Sequence, residues 1–291
     1  MAKKKVKPSK DHISFFRQSL IDVKNNLVLF NIILVQILCI FIFCAILAAE
    51  IILLLAANSF SIDSFIANIS AAKVIVLILV GVADILLLLV INAYIKSMLI
   101  GMAKEIVAKG KTNVKTMWTS SKLYFKNAFF IQLYIFLFFF LLPIIILGSV
   151  TGLIYLASHT AGIIVGVLLL IIFLLYLIFM SILIIFMDPV LANNNKNSPI
   201  SIIKKTLSCF SYNPGNVFVT WFVILVISII ARLLLEPFTL LLQTINAGSI
   251  ISVAYLLLLV IALVIIIVIS ALAGFVSELI IFHAYLHKIK F

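Results

Sequence analysis

Apolar residues occupy long, nearly uninterrupted blocks of this chain, and polar residues are concentrated in the segments between them. A helix with a rise of about 1.5 Å per residue needs roughly twenty apolar residues to cross a hydrocarbon core. The blocks that reach this length are residues 27–49, 74–99, 128–147, 162–187, 217–235 and 250–282. Each should be a helix, because an open strand would leave backbone groups without hydrogen-bond partners in lipid. The pattern predicts an all-α, polytopic membrane protein with six transmembrane helices.

The basic residues lie almost entirely on one side of these predicted spans. Of the 21 Lys and Arg residues, all but Lys73 and Arg232 fall in the N-terminal segment, the second-to-third connection (with which Lys96 is grouped), the fourth-to-fifth connection or the C-terminal tail. Since basic loops remain in the cytoplasm, both termini are predicted to be cytoplasmic. Five spans would instead place the tail lysines outside. We divide the chain into a basic cytoplasmic segment, 1–26, and a single six-span domain, 27–291.

Composition supports a membrane protein and argues against the nucleic-acid partner that a net charge of +12 would otherwise indicate. Hydrophobic residues make up 66% of the chain and charged residues 10%, whereas soluble proteins are about half apolar and about a quarter charged. The charge flanks the spans, and zinc-finger and RNA-binding motifs are missing, so we predict no nucleic-acid partner. The first apolar block is too long for a signal peptide. The bias toward Ile, Lys, Asn and Phe indicates an AT-rich prokaryotic genome, hence a prokaryotic cytoplasmic membrane.

The second-to-third connection contains an amphipathic segment at residues 112–126. One helical face, at spacings of three and four residues, carries Val114, Met117, Trp118, Ser121 and Phe125. The lysines along one flank of that face are Lys111, Lys115, Lys122 and Lys126. This arrangement predicts a helix in the headgroup region whose lysines contact anionic lipid.

Two further segments have the same design. Ser198 and Pro199 are typical of a helix start, and Lys204 and Lys205 face away from the apolar stripe that follows. That stripe consists of Ile202, Ile203, Thr206, Leu207 and Phe210. In the N-terminal segment the stripe consists of Ile13, Phe16, Leu20 and Val23. The six spans thus form three hairpins, each preceded by an amphipathic interfacial helix, and Lys204 and Lys205 are further candidates for headgroup contact.

These three units are consistent with an internal repeat of surface helix, ascending span, short outer loop and descending span. The residues where the units enter the membrane are Asn26, Asn127 and Asn216. The residues at matching positions before them are Ser19, Ser120 and Cys209. The alternative is that any six-span chain with basic loops looks periodic.

Two stretches of the connections resemble a known family. The first runs from Gly101-Met102-Ala103-Lys104-Glu105 through Lys109-Gly110 to Met117-Trp118 and Tyr124-Phe125. The second is Asp188-Pro189, then Ser198-Pro199 and the helix through Ile203, Thr206 and Ser208 to Asn216. Here the chain is similar to the membrane domain of prokaryotic glycerophosphoryl diester phosphodiesterases and to its uncharacterised stand-alone six-span relatives. The family's catalytic part is a separate soluble domain, so the resemblance implies a membrane module and carries over no catalytic residue.

Charged residues within or at the ends of the spans are candidates for function, because charge in lipid is costly. Asp84 lies near the middle of the second span, Glu50 ends the first, and Glu278 lies near the cytoplasmic end of the sixth. Arg232 and Glu236 lie four residues apart at the outer end of the fifth span and share a helix face. One interpretation is a polar pathway, with Asp84 as an ion or proton site and Arg232 as a substrate anchor. The other is structural: Arg232 pairs with Glu236 or Glu50, and Asp84 is protonated or hydrogen-bonded inside the bundle.

The sequence shows none of the patterns typical of a catalytic or metal site. HExxH, GxSxG and glycine-rich phosphate loops are missing, the three cysteines form no CxxC pair, and His283 and His287 lack a third ligand nearby. We predict no enzyme, no catalytic residue, no metal and no cofactor. GxxxG motifs at 148–152 and 162–166 flank the outer loop between the third and fourth spans and predict close packing of that hairpin.

The function predicted from the sequence is a membrane-embedded accessory or lipid-interacting module, which contacts anionic headgroups on the cytoplasmic side. A protein partner of unknown identity is compatible with this prediction. The first alternative is a small-solute transporter or channel, for which Asp84→Asn should stop flux through a folded protein. The second alternative is a lipid-modifying membrane enzyme.

Overall fold

The computed structural model describes residues 12–56, 71–246 and 253–289, and every regular element in these ranges is a helix. In chain order the helices are α1 (His12–Asn25), α2 (Phe30–Ala56), α3 (Ala71–Lys109), α4 (Val114–Ile135), α5 (Leu142–Ala157), α6 (His159–Leu183), α7 (Met187–Asn194), α8 (Pro199–Tyr212), α9 (Pro214–Asn246) and α10 (Val253–Lys288). A 3-10 turn, Leu27–Leu29, leads into α2, and a π-helical turn, Phe136–Leu141, joins α4 to α5.

Within these described ranges, six helical stretches are long and apolar enough to cross a membrane, which confirms the predicted class. The helices extend beyond the predicted spans: 74–99 lies within the longer α3, and 217–235 within α9. Residues 1–11 of the predicted N-terminal segment and 250–252 of the last predicted span lie outside the described residues. The protein is therefore an all-α, multi-pass membrane protein.

The amphipathic segment at 112–126 is helical, but it is not separate from the third span. Asn113 caps the helix by accepting a hydrogen bond from the Thr116 backbone N–H at 2.9 Å, and the helical chain then continues through the π turn to Ala157. Pro143 lies two residues after that turn. Its ring would clash with the carbonyl four residues earlier in a regular helix, and the wider π turn relieves this clash without ending the helix. Only α1 and α8 are separate short helices before their hairpins.

Helix α1 turns to the bundle a face that contains only Val23 of its predicted apolar stripe. Its buried residues are Phe15, Ser19, Asp22 and Val23. Its exposed residues include Ile13, Phe16 and Leu20 of the predicted stripe. This face, half polar and half apolar, packs on α10, where Asp22 finds a hydrogen-bonding partner in His283. An apolar face turned outward is favourable only against lipid or another apolar surface, which fits a helix that lies on a membrane.

Close packing is concentrated at the end of the bundle where α1, α7 and α8 lie, here called the packed end. The largest fully buried side chains there include Met98, Met102, Met117, Leu191, Ile202 and Leu279. Farther along the spans, apolar side chains such as Leu79, Leu175 and Leu233 are exposed. Lipid tails are as apolar as these side chains, so the exposure is not unfavourable in a membrane. Side chains with fixed positions, which a binding site requires, are therefore found mainly at the packed end.

The hairpin of α5 and α6 shows close backbone approach at one of the two GxxxG motifs. A Cβ added at Gly162 would lie 2.4 Å from the Cα of Tyr155, so only glycine fits there. This confirms the predicted packing for the second motif. The prediction is wrong for the first motif, because Cβ atoms added at Gly148 and Gly152 meet nothing within 4 Å. The glycines of that motif lie on the side of α5 away from its neighbour.

The three asparagines aligned in the repeat hypothesis make equivalent hydrogen bonds. Their side-chain Nδ2 atoms donate to backbone carbonyls: Asn26 to Gly110 at 3.3 Å, Asn127 to Asn195 at 2.6 Å and Asn216 to Lys288 at 3.4 Å. In each case the acceptor lies after the second span of the hairpin that the asparagine begins. The matching small residues Ser19, Ser120 and Cys209 are all buried. The common bond closes each hairpin at the packed end and supports an internal repeat.

Candidate functional site

A cavity of about 290 Å³ lies at the packed end, lined by residues of α3, α4, α7 and α10 and of the turn before α7. Its walls are mainly aliphatic and include Ile131, Ile135, Ile184 and Ile281. Four polar side chains also line it: Lys96, Gln132, Asp188 and Glu278. A mostly apolar pocket with a few convergent polar groups is the usual form of a small-ligand site. These four residues therefore form the candidate site.

Lys96 of α3 and Asp188 of α7 form an ion pair at the cavity, with Nζ 3.0 Å from Oδ1. Asp188 is 7% exposed, whereas the Lys96 side chain is 37% exposed and so keeps some contact with solvent. The position of Asp188 follows from the local sequence, since α6 ends at Leu183 and a three-residue turn precedes α7. Asp188 then lies in the first turn of α7, where the helix dipole favours a carboxylate and Pro189 is well tolerated.

Glu278 of α10 adds a second carboxyl group to the site. It is 7% exposed, and its carboxyl group lies near that of Asp188. Two buried carboxylates side by side repel each other, so ionising both is unfavourable. The Oε1 atom of Glu278 has no hydrogen-bond partner among the described residues. The cavity thus contains a buried acceptor atom that the protein itself leaves unsatisfied.

Gln132 of α4 contributes an unsatisfied donor. Its Oε1 accepts a hydrogen bond from Nδ2 of Asn92 at 3.3 Å, while its Nε2 has no partner within the described part of the chain. A buried polar atom without a partner costs about 1–3 kcal/mol. The residues that line the cavity therefore include one unmatched donor on α4 and one unmatched acceptor on α10.

A second polar cluster holds α1 against α10 at the packed end. His283 Nε2 lies 2.9 Å from Asp22 Oδ2, and Gln18 Nε2 donates to Asp22 Oδ1 at 2.8 Å. The Phe15 ring stacks on His283 and His287, with centroid distances of 6.2 and 5.8 Å. These contacts fix the rotation of α10 and hence the face that it turns to the cavity. In the described residues no three His, Cys, Asp or Glu side chains are grouped to hold a metal ion.

Asp84 has a partner in the neighbouring span. Its carboxyl group lies near that of Glu50 on α2, close enough for the two to interact electrostatically. Glu50 follows the last residue of the predicted first span, but it does not end the helix, because α2 continues to Ala56. The apolar block ends at Glu50, whereas the backbone hydrogen bonds of the helix continue past this residue. The pair repeats the carboxyl–carboxyl contact of Asp188 and Glu278 in a different part of the bundle.

Arg232 and Glu236 border an open cleft of about 560 Å³ on α9, and both are exposed. The ion pairs of the described chain do not include Arg232 with either Glu236 or Glu50, so the structural interpretation of Arg232 is not realised. Helix α9 continues beyond the predicted end of the fifth span, through Pro237 to Asn246.

The six lysines predicted to contact lipid headgroups are all exposed: Lys111, Lys115, Lys122, Lys126, Lys204 and Lys205. Lys205 also donates to Asn194 Oδ1 at 2.7 Å. A second open cleft of about 560 Å³, bordered by Lys126 and Lys196, adjoins the start of α8. Its other residues include Leu123, Phe130 and Tyr134, so the cleft combines basic groups with apolar and aromatic walls.

Cys209 is a structural thiol at the packed end. It is 1% exposed, and burial raises the pKa of its thiol to about 11. Cys39 is half-buried and Cys44 exposed in the first span. At neutral pH the Cys209 thiolate, which is the reactive form, is therefore scarcely populated.

Only Glu278 among the four cavity residues is a candidate on sequence alone. Lys96 is counted with the basic connection between the second and third spans, yet it lies inside the predicted span 74–99. Gln132 likewise lies inside 128–147, and Asp188 directly follows the fourth span. A polar residue inside an apolar block is the available signal for Lys96 and Gln132. The sequence has no signal for which of these residues meet, because they come from helices far apart in the chain.

Comparison with known proteins adds no family assignment. No protein-family model matches the sequence, and neither the curated proteins nor the solved structures give a match. The function of the cavity and of the basic surface is therefore inferred from their own geometry.

Proposed function

We propose that this protein is an accessory module of a prokaryotic cytoplasmic membrane, with both termini in the cytoplasm, that binds anionic lipid headgroups. The observation that carries this proposal is the exposure of all six lysines on the amphipathic segments before the second and third hairpins. Each Lys near an anionic membrane surface contributes about 1 kcal/mol of attraction, so six together hold headgroups effectively at physiological ionic strength.

The cleft bordered by Lys126 and Lys196 is where we expect a lipid headgroup to bind. A headgroup phosphate at its basic rim would contact the two ammonium groups. It would also lie near the start of α8, where Ser198 caps the helix and the dipole favours an anion. The acyl chains would then lie along Leu123 and Phe130, which are exposed at the same cleft.

The outward apolar face of α1 supports the same function. Ile13 is 81% exposed, and Phe16 and Leu20 are exposed beside it. A short helix with one apolar face toward lipid and one polar face bonded to the protein lies in the interface plane. In that position α1 would bring the packed end, with its lysines, against the headgroups.

A relationship to the membrane domain of glycerophosphoryl diester phosphodiesterases belongs to the same proposal. The two stretches that carry the resemblance contact each other. Lys104 Nζ of the first stretch donates a hydrogen bond, at 2.6 Å, to the carbonyl of Ala192, which lies between Pro189 and Ser198 of the second stretch. Gly101 lies directly against Ser120, where a Cβ would collide with the serine side chain. We assign the chain no catalytic role, and a protein partner would contact the same exposed connections.

A second candidate function is transport of a small solute or ion, favoured by the carboxyl pair of Glu50 and Asp84 within the spans. Neighbouring carboxyl groups inside a membrane are typical of proton and cation pathways. Asp84→Asn would abolish flux in a transporter while leaving the fold intact. In an accessory module the same change would affect stability alone, as measured by unfolding in detergent beside a proteoliposome flux assay.

Lipid retention tests the headgroup proposal. The full chain is purified in mild detergent, and co-purifying phosphatidylglycerol and phosphatidylethanolamine are quantified by mass spectrometry. We expect enrichment of the anionic lipid over its membrane fraction and a loss of that enrichment in Lys126→Gln/Lys196→Gln. Raising the salt concentration should weaken retention in the wild type, because exposed charges are screened.

The matched control is Lys109→Gln. Lys109 is 71% exposed, but its Nζ already pairs with Glu105 at 3.0 Å, so it is less available for lipid. Its replacement should leave retention unchanged. Equal loss in both variants, or no enrichment in the wild type, would contradict the proposal.

A further inference from the structure

We propose that the cavity between α3, α4, α7 and α10 binds a small organic cation, a protonated amine that carries a hydrogen-bond acceptor a few atoms away. This inference goes beyond the lipid-headgroup function, because that function uses exposed lysines and none of the residues at the cavity. It rests on the charge of the cavity, its unsatisfied atoms and its walls.

The charges that line the cavity favour a cation. Lys96 is the one cation among the lining residues, and its ammonium pairs with Asp188 at 3.0 Å, so it offsets only one of the two carboxyl groups there and the other, on the buried Glu278, adds a further negative charge when ionised. An uncompensated carboxylate at this depth is strongly unfavourable, so the site holds either a proton between the two carboxyl groups or a bound positive charge. An anion would instead face Glu278 with its own charge and is disfavoured.

The unsatisfied atoms define the hydrogen-bonding groups of the ligand. Glu278 Oε1 requires a donor, and Gln132 Nε2 requires an acceptor. The terminal torsions of glutamate and glutamine are soft, so both groups turn readily toward a ligand in the cavity. A protonated amine supplies the donor together with the charge, and a hydroxyl or carbonyl oxygen on the same molecule supplies the acceptor.

The walls and the volume select an organic cation over a bare metal ion. Ile131, Ile135 and Ile281 provide apolar surface for methylene groups, whereas a metal ion would need several more oxygen ligands. The volume of about 290 Å³ is roughly twice that of an engineered cavity of about 150 Å³ that holds benzene. A molecule of a few carbon atoms fits together with water.

The amine has two sources, a free solute or the headgroup of an aminophospholipid such as phosphatidylethanolamine. The ammonium and the neighbouring oxygen are common to both. Ethanolamine is the soluble probe that contains both groups. Ethylamine keeps the ammonium but lacks the hydroxyl, and ethylene glycol keeps the hydroxyls but lacks the charge.

The experiment is calorimetric titration of the purified full chain in detergent with these three compounds. We expect saturable binding of ethanolamine, weaker binding of ethylamine and none of ethylene glycol. Glu278→Gln should weaken ethanolamine binding at least about tenfold, since hydrogen bonds to charged groups contribute about 1.5–3 kcal/mol. The control variant Glu236→Gln changes an exposed acid outside the cavity and should bind as the wild type does.

A second variant keeps the test decisive if Glu278→Gln disturbs the contact with Asp188. Gln132→Met preserves the length of the side chain but removes the N–H donor. It should bind ethylamine as the wild type does and lose only the preference for ethanolamine. A variant with merely altered packing would weaken both ligands alike, and that result would overturn the assignment of Gln132.

Lipid nanodiscs distinguish the two sources of the amine. If nanodiscs with phosphatidylethanolamine reduce ethanolamine affinity relative to phosphatidylcholine, whose headgroup has no N–H donor, the headgroup occupies the site. Equal affinity in the two nanodiscs assigns the site to a free solute. Absence of ethanolamine binding in detergent and of any lipid effect would overturn the proposal, as would unchanged affinity in a folded Glu278→Gln variant.

Discussion

Replacing Lys96 with Met tests how strongly the cavity charges determine the stability of the packed end. Methionine keeps the unbranched, apolar part of the side chain but removes the ammonium that lies 3.0 Å from Asp188 Oδ1. Asp188 and Glu278, each 7% exposed, then remain as two carboxyl groups without the lysine that accompanies them at the cavity. We expect the variant to be clearly destabilised.

The magnitude follows from the burial of the two partners. Breaking a buried ion pair by removing one partner costs about 3–5 kcal/mol. The Lys96 side chain is 37% exposed, so water already screens part of the attraction, and we expect the lower value of about 2–3 kcal/mol. Adding Asp188→Asn to Lys96→Met removes the unpaired carboxylate and should recover about 1–2 kcal/mol in a double-mutant cycle.

The assay is reversible unfolding in mixed detergent micelles, followed by the loss of helical circular dichroism. Lys109→Met is the control, because Lys109 and Glu105 form an ion pair of the same 3.0 Å length in which the lysine side chain is 71% exposed. Exposed pairs contribute about 0.2–1 kcal/mol. If Lys96→Met costs no more than Lys109→Met, the argument that burial makes the cavity pair important is refuted.

Two further predictions concern packing and thiol reactivity. Gly162→Ala should destabilise the protein by about 1–3 kcal/mol, because its Cβ would lie 2.4 Å from the Cα of Tyr155. A Cβ added at Gly148 meets nothing within 4 Å, so Gly148→Ala should change stability by less than about 0.5 kcal/mol. Equal effects of the two substitutions in the same unfolding assay would contradict close packing at Gly162. Cys209, with a thiol pKa of about 11 and 1% exposure, should react with a thiol reagent near neutral pH only after unfolding. The time course is measured in a Cys39→Ala/Cys44→Ala variant, and fast labelling of the folded protein would show that Cys209 is accessible.

The internal repeat shows which features a sequence pattern predicts and which require the structure. The alignment of Asn26, Asn127 and Asn216 predicts equivalent positions but not equivalent contacts. The structure adds that each side chain bonds a carbonyl beyond the far end of its own hairpin, 84, 68 and 72 residues away respectively. A bond over such a separation has no local sequence signal, so only the packed hairpins reveal it.

The amphipathic helices show where a correct pattern leads to an incomplete conclusion. Of the predicted apolar stripe of α1, Ile13, Phe16 and Leu20 are exposed, whereas Val23 is buried. In a soluble protein the apolar stripe packs inward because water surrounds the fold. Where lipid is the solvent, the hydrogen bond between Asp22 and His283 decides which face turns inward, since unpaired polar groups are costlier than exposed apolar ones.

The sequence by itself determines the class of this protein and its six apolar blocks that are long enough to cross a membrane. Both depend on the free energy of transferring whole apolar blocks from water to lipid. This free energy is a sum over the residues of a block, so it follows from the sequence without knowing which residues pack together. The exposure of the six lysines also follows from sequence, because charge at a membrane surface stays with water and headgroups.

Only the tertiary structure decides the cavity and its chemistry. Lys96, Gln132, Asp188 and Glu278 come from four different helices, and their meeting depends on the rotation and tilt of each helix. The same holds for Glu50 and Asp84, whose contact requires two spans to pack at one level. Charge pairing and hydrogen bonding act over a few ångströms, so they are set by packing, whereas membrane insertion is set by composition over some twenty residues.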